Sequence, residues 1–252
     1  MREPLRVQHG GAGEPVLMLL HGLGATGDVW SGFRDVLKAR WRGRWIAPDL
    51  PGHGGSAPLP RYSFDALATA VAGIVPPAGR VVVLGHSLGG AVALTLTSGA
   101  FGVRVSAVCG LGIKVVWTAD ELARAQTLAT RPNPVYATRA EAAERHLRLA
   151  GLTGLVATEA VGDAALVHRD DGWTVAFDPA AFAVGAPDMA SLLAESRARV
   201  LLAAGERDPM CGADQLRTLV PDPVILPGLG HNAHVESPDA LWPVLERLAA
   251  LA

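Results

Sequence analysis

Val81-Val82-Val83-Leu84-Gly85-His86-Ser87-Leu88-Gly89-Gly90-Ala91-Val92-Ala93 is the stretch that decides how this chain is read. An apolar run with the character of a buried strand passes straight into Gly-x-Ser-x-Gly, and small residues then open a helix. A chain that turns so sharply from strand to helix puts the middle residue at the apex, with φ > 0 and its side chain aimed out of the sheet. Ser87 is that residue. Gly85 and Gly89 flank it because a Cβ at either place would collide in so tight a turn. Gly90 and the residues after it are small enough for the new helix to lie close on the sheet. A pentapeptide of this form can arise by chance in a chain with 29 glycines. Its weight comes from the strand-turn-helix setting and from partners elsewhere in the chain.

A serine hydroxyl is a poor nucleophile at neutral pH and needs a base, which in turn needs an acid to orient it. For this kind of turn the order along the chain is serine, acid, histidine. Downstream, an apolar run over 200–204 leads into Gly205-Glu206-Arg207-Asp208-Pro209. A second run, 224–227, leads into Gly228-Leu229-Gly230-His231. Asp208 is therefore assigned as the acid and His231 as the base. His234 is the rival base. Glu206 is the rival acid, and a surface pairing with Arg207 is its plainer role. Acyl transfer also needs backbone N–H donors for a developing oxyanion. Leu88, just after the serine, supplies one. Leu23, in His21-Gly22-Leu23-Gly24 after the run 17–20, supplies the other.

The composition narrows what surrounds this chemistry. With 252 residues, half of them hydrophobic, the chain is long enough for one domain carrying an insertion. Its 22 basic and 24 acidic residues leave a net charge of −2, which offers nothing to a nucleic acid or an anionic membrane. Cys109 and Cys211 lack metal-ligand spacing. They read as incidental thiols of a reducing compartment, with a single disulfide as the alternative. Residues 1–6 have no apolar core of the signal-peptide kind, and no apolar run approaches the roughly 20 residues a membrane helix needs. The expectation is a cytoplasmic protein with no metal or cofactor, acting on a small molecule. Oligomeric state is left open.

Further apolar runs at 15–20, 44–47, 81–84, 104–110, 200–204 and 224–226 read as buried parallel strands, with 5–9 pairing at an edge. Helices are expected over 28–40, capped by Asp28, and over 64–74, 89–98 and 239–251. Alternating strands and helices give an α/β fold with its site beyond the carboxyl ends of the strands. The pattern breaks at 114–198. Helix-like segments over 119–129 and 139–149 appear there, with a short hairpin at 168–175 turned by Asp171-Gly172. We read 114–198 as a mostly helical cap inserted into a core made of 1–113 and 199–252. A long insertion in a compact domain usually carries function.

Taken together, five pieces resemble the α/β-hydrolase superfamily. They are His21 to Gly24, the loop Asp49-Leu50-Pro51-Gly52-His53-Gly54-Gly55-Ser56, Gly85 to Gly90, Gly205 to Asp208, and Gly230-His231 with Glu236-Ser237-Pro238. The resemblance implies an α/β-hydrolase fold, with a mainly parallel sheet of about seven to eight strands flanked by helices. It also implies that Asp49 and its glycines fix a loop rather than take part in chemistry. A serine at 87 argues against the branches of the superfamily that use aspartate there. Hydrolysis of a carboxylic ester through an acyl-enzyme is the expected reaction. Thioester hydrolysis and carbon–carbon cleavage of a diketone are the alternatives, and a non-catalytic binding protein is the remoter one. Trp117, Trp173, Phe177 and Phe182, with Met210 beside the acid loop, are candidates for an apolar pocket. Arg124, Arg139, Arg145 and Arg148 do not form an evident cluster, so a small or medium uncharged acyl substrate is preferred.

Overall fold

The computed structural model describes residues 5–76 and 79–252. Residues 1–4, which carry most of the leader-peptide reading, lie outside them. Seven strands form one sheet: β1 (Val7–Gly10), β2 (Val16–Leu20), β3 (Arg44–Pro48), β4 (Val81–His86), β5 (Val105–Leu111), β8 (Arg199–Gly205) and β9 (Val224–Leu226). Their spatial order is β1-β3-β2-β4-β5-β8-β9. Every neighbouring pair is parallel except β1 with β3, so β1 is the antiparallel edge strand.

The strands are apolar throughout because both faces of the sheet are covered. Successive residues feed two different cores, following the two-residue period of a strand. In β2, Val16, Met18 and Leu20 enter one core, and Leu17 and Leu19 enter the other. The first core is completed by α2 (Phe64–Ala72), α3 (Leu88–Leu96) and Met189 of α6 (Met189–Glu195). The second is completed by Trp30, by α1 (Ser31–Arg40) and by α9 (Trp242–Ala250).

Segment 114–198 contains α4 (Ala119–Ala129), α5 (Arg139–Leu149) and the hairpin β6 (Leu166–Arg169)–β7 (Gly172–Val175), ahead of α6. Both α4 and α5 open on a capping box, Thr118 with Glu121 and Thr138 with Glu141. A separate small core under α5 is made by Ala142, Ala143, Leu147, Leu152, Val161, Ala165 and Leu166. By contrast α6 packs beside α3 as part of the sheet's own flank.

Three local expectations need correction. Asp28 does not cap α1. Thr26 caps a 3₁₀ turn over Gly27–Trp30, and the Asp28 carboxylate accepts instead from Gln8 Nε2 at 2.7 Å. The last helix starts at Trp242, after a 3₁₀ turn over Pro238–Leu241. The hairpin turns one residue early, on Asp170-Asp171, because Arg169 pairs with Gly172. Gly172 is needed as a strand residue: its φ is 134°, and a Cβ there would lie 2.4 Å from the Tyr136 carbonyl. Cys109 and Cys211 are both buried, free thiols. Among the described residues no helix is long and apolar enough to cross a membrane.

Candidate active site

Ser87 sits between β4 and α3 with φ 50° and ψ −116°, and among the described residues it is the only non-glycine with positive φ. Such a conformation persists only where the surroundings impose it. Here the Ser87 N–H donates to the Leu111 carbonyl of β5 at 2.8 Å, and the Ser87 carbonyl accepts from Gly90 and Ala91 as α3 begins. A Cβ on Gly85 would come within 2.2 Å of the Gly89 carbonyl oxygen, and one on Gly89 within 2.4 Å of the Leu20 carbonyl oxygen. The turn is thus wedged between strand and helix, and no larger residue fits at either glycine.

Asp208 leaves the end of β8 with its carboxylate fully buried, and Oδ2 lies 2.9 Å from His231 Nδ1. Its other oxygen accepts from the Met210 N–H at 2.8 Å. A carboxylate accepting at Nδ1 fixes the proton there and leaves Nε2 as the basic nitrogen. His231 and Ser87 line one cavity of about 530 Å³, together with Leu23 and Leu88. Leu88 N–H is the first amide of α3, where the helix has no carbonyl of its own to offer it.

The rivals are placed elsewhere. Glu206 does not pair with Arg207. Its Oε2 accepts from the Gly228 N–H at 2.8 Å, while the Arg207 guanidinium donates to the Gly228 carbonyl, so the two clamp one glycine from both sides. His234, in α8 (Ala233–Glu236), is buried between the rings of Trp30 and His86, at 4.6 and 4.3 Å. Burial pushes its pKa down to about 3, and it borders a different cavity of about 320 Å³.

Two histidines whose roles were not read from the sequence tie the loops together. His86 Nε2 lies 2.9 Å from the His231 carbonyl, which can only accept, so Nε2 carries the ring proton. Its Nδ1 lies 2.9 Å from where a Gly22 Cβ would stand, and its ring packs tilted against that of His231, with centroids 4.7 Å apart. One side chain therefore touches the loop of His231 and the loop of Leu23, and it adjoins Ser87 in sequence. His21 accepts the Leu50 N–H at Nε2 and donates from Nδ1 to the Gly22 carbonyl, both at 2.8 Å. Fully buried, it is held neutral, with its pKa lowered to about 4. Asp49 is likewise structural: its carboxylate takes the N–H groups of Gly27 and Gly55 and the Arg6 guanidinium. The signal for His86 was the variable position of the pentapeptide itself, but its partner is 145 residues away.

Trp117, Met210 and Phe182 line the cavity with Ser87. Trp173 does not. It lies on β7, bridges in backbone to Tyr136 and packs tilted against the His168 ring, with centroids 4.6 Å apart. Phe177 is also diverted, onto the ring of His53 at 5.0 Å. The sequence reading missed Leu122 and Leu128, which line the cavity from α4. With Ala125 they follow one another at three-residue steps along α4, and since no residue of α4 is buried, that side borders the cavity instead of a core. No group of three or more His, Cys, Asp or Glu suited to a metal occurs among the described residues.

The sequence model of the alpha/beta hydrolase family matches residues 17–244. Among curated proteins, the magnesium-chelatase 30 kDa subunit of Rhodobacter capsulatus is 42% identical over 98 residues, 36% of this chain and 32% of that one. A pimeloyl-[acyl-carrier protein] methyl ester esterase of Methylococcus capsulatus is 45% identical over 80 residues, 32% of this chain and 30% of that one. The chain thus spans about a third of the length of the curated relatives it matches. A solved E-2-(acetamidomethylene)succinate hydrolase superposes with a TM-score of 0.80 at 22% identity, covering 98% of this chain and 95% of its own, a likeness of fold.

Proposed function

The chain belongs to the alpha/beta hydrolase family, and from that premise we propose that it is a serine hydrolase cleaving a carboxylic ester of a small or medium, largely apolar substrate. One observation carries the proposal. A serine held at φ 50° shares a cavity with a histidine whose far nitrogen is fixed by a buried carboxylate at 2.9 Å.

In this reading Ser87 Oγ attacks the ester carbonyl carbon while His231 Nε2 takes the hydroxyl proton. Asp208 holds the imidazole in the required tautomer and stabilises the imidazolium. The oxyanion of the tetrahedral intermediate accepts from the Leu23 and Leu88 N–H groups. Collapse expels the alkoxide, which takes the proton from His231 and leaves as the alcohol. A water then gives a proton to Nε2 and attacks the acyl-enzyme, which releases the carboxylic acid and restores Ser87. A thioester would pass through the same steps with a thiol leaving. Segment 114–198 acts as the cap that sets specificity, since α4 and α5 supply much of the cavity wall. The two free buried thiols suit a cytoplasmic protein.

The test is turnover of p-nitrophenyl butanoate. Ser87→Ala is expected to lower kcat by about 10⁴-fold or more with the thermal midpoint retained. Full activity in that variant would remove Ser87 from the mechanism.

A further inference from the structure

The charge lining the cavity is opposite in sign to that of the chain. Three basic side chains, Lys114, Arg124 and Arg148, border it against a single carboxylate, Glu121, in a protein of net charge −2. Lys114 is committed: it pairs with Glu121 and lies 4.9 Å above the ring of Trp117. The two arginines are not. Arg124, on α4, has no ion pair among the described residues. Arg148, on α5, has only Glu144, one helical turn back at 3.5 Å, and both partners are about half exposed, so the pair is weak. The same cavity, which also holds Ser87, is lined by the apolar Leu122, Leu149, Phe182 and Met210.

From this we infer that the substrate is an ester or thioester whose apolar body ends in an anionic group, a carboxylate or a phosphate, received by Arg124 and Arg148. The inference rests on the hydrolase reading and names the substrate class of that same site. A guanidinium suits either anion, because its N–H fork matches two oxygens at once. The other arginines of the segment, Arg131, Arg139, Arg145, Arg169 and Arg197, do not line the cavity. Arg139 donates to the Val161 carbonyl and pairs with Asp163, and it does not border the cavity.

The test compares charged and neutral substrates of equal chain length. One pair is the p-nitrophenyl monoester of adipic acid against p-nitrophenyl hexanoate. The other is hexanoyl-coenzyme A against hexanoyl-N-acetylcysteamine. The anionic member of at least one pair is expected to show a kcat/KM about 10- to 100-fold higher, carried mainly by KM, as one or two charge-assisted hydrogen bonds would give. The pair that shows it tells carboxylate from phosphate. In the double variant Arg124→Gln/Arg148→Gln that ratio is expected to fall close to one. Both positions are exposed, so the variant keeps its core. Equal kcat/KM within both pairs, or a preference that survives the double variant, overturns the inference. If no ester is turned over, the hydrolase reading fails separately. Calorimetric binding to Ser87→Ala, with and without the arginine changes, of monomethyl adipate against methyl hexanoate and of hexanoyl-coenzyme A against hexanoyl-N-acetylcysteamine then decides this inference alone.

Discussion

At the scale of single residues, the proposed site depends on side chains that hold its loops as much as on those assigned to the chemistry. His86 holds the His231 carbonyl at 2.9 Å and packs tilted against its ring. His86→Phe keeps the ring contact but leaves that carbonyl without its donor. We expect kcat for p-nitrophenyl butanoate to fall about 10-fold or more, with KM little changed and an altered pH profile of kcat/KM, and His86→Gln to recover part of the loss. An equal loss in both variants, confined to stability, would reduce His86 to packing. The positions proposed for the chemistry, Ser87, Asp208 and His231, could be picked out from the sequence because each stands at the exit of an apolar run, where strand periodicity ends in glycine. His86, Glu206 and Trp173 were not legible. What each does is set by a partner distant in the chain: the His231 carbonyl, the Gly228 amide and the Tyr136 backbone.

At the scale of elements, the contact between β4, β2 and α3 is what creates the apex. Gly89 lies on α3, and its α-carbon faces the Leu20 and His21 carbonyls at the end of β2. Gly89→Ala would drive α3 off the sheet and tilt Ser87 with it. We expect a loss of about 3 kcal/mol, in the range of an overpacked core, together with loss of activity. Gly102→Ala serves as the comparison. It also has positive φ, but its added Cβ meets nothing within 4 Å, so only the left-handed strain of about 1 kcal/mol applies. Equal urea midpoints for the two variants would contradict the close packing argued here. The strands were readable as elements because both their faces are buried. The boundaries that slipped, at Asp28, Trp242 and Asp170, are places where a 3₁₀ turn or a crossing backbone outweighs local propensity.

At the scale of the whole molecule, five buried histidines make stability depend on pH. Burial lowers His21 and His146 to about 4, lowers His53 and His234 to about 3, and holds His86 well below its ordinary value of 6.5. In the unfolded chain each titrates near 6.5. Between those values the unfolded chain binds more protons than the native one. Stability is therefore complete above about pH 6.5 and is lost as the pH falls toward 4. Each histidine contributes up to about 1.4 kcal/mol per pH unit to that slope. Urea unfolding at about pH 7.5 and about pH 5.5 should give a clearly lower midpoint at the acid value. Equal midpoints would mean that these imidazoles are not held neutral. The fold explains why so many histidines are buried: His21, His86 and His234 occupy the seam where the loops at the ends of β2, β4 and β9 meet.

The central proposal is that Ser87 is a nucleophile activated by His231 and Asp208. The most direct measurement is covalent labelling of the folded protein with a fluorophosphonate, followed by peptide mass spectrometry. The reagent should add a single phosphonyl group, on Ser87, and labelling should be lost in His231→Ala although the serine remains. A folded protein that takes no label at Ser87, or takes it equally well without His231, would contradict the account.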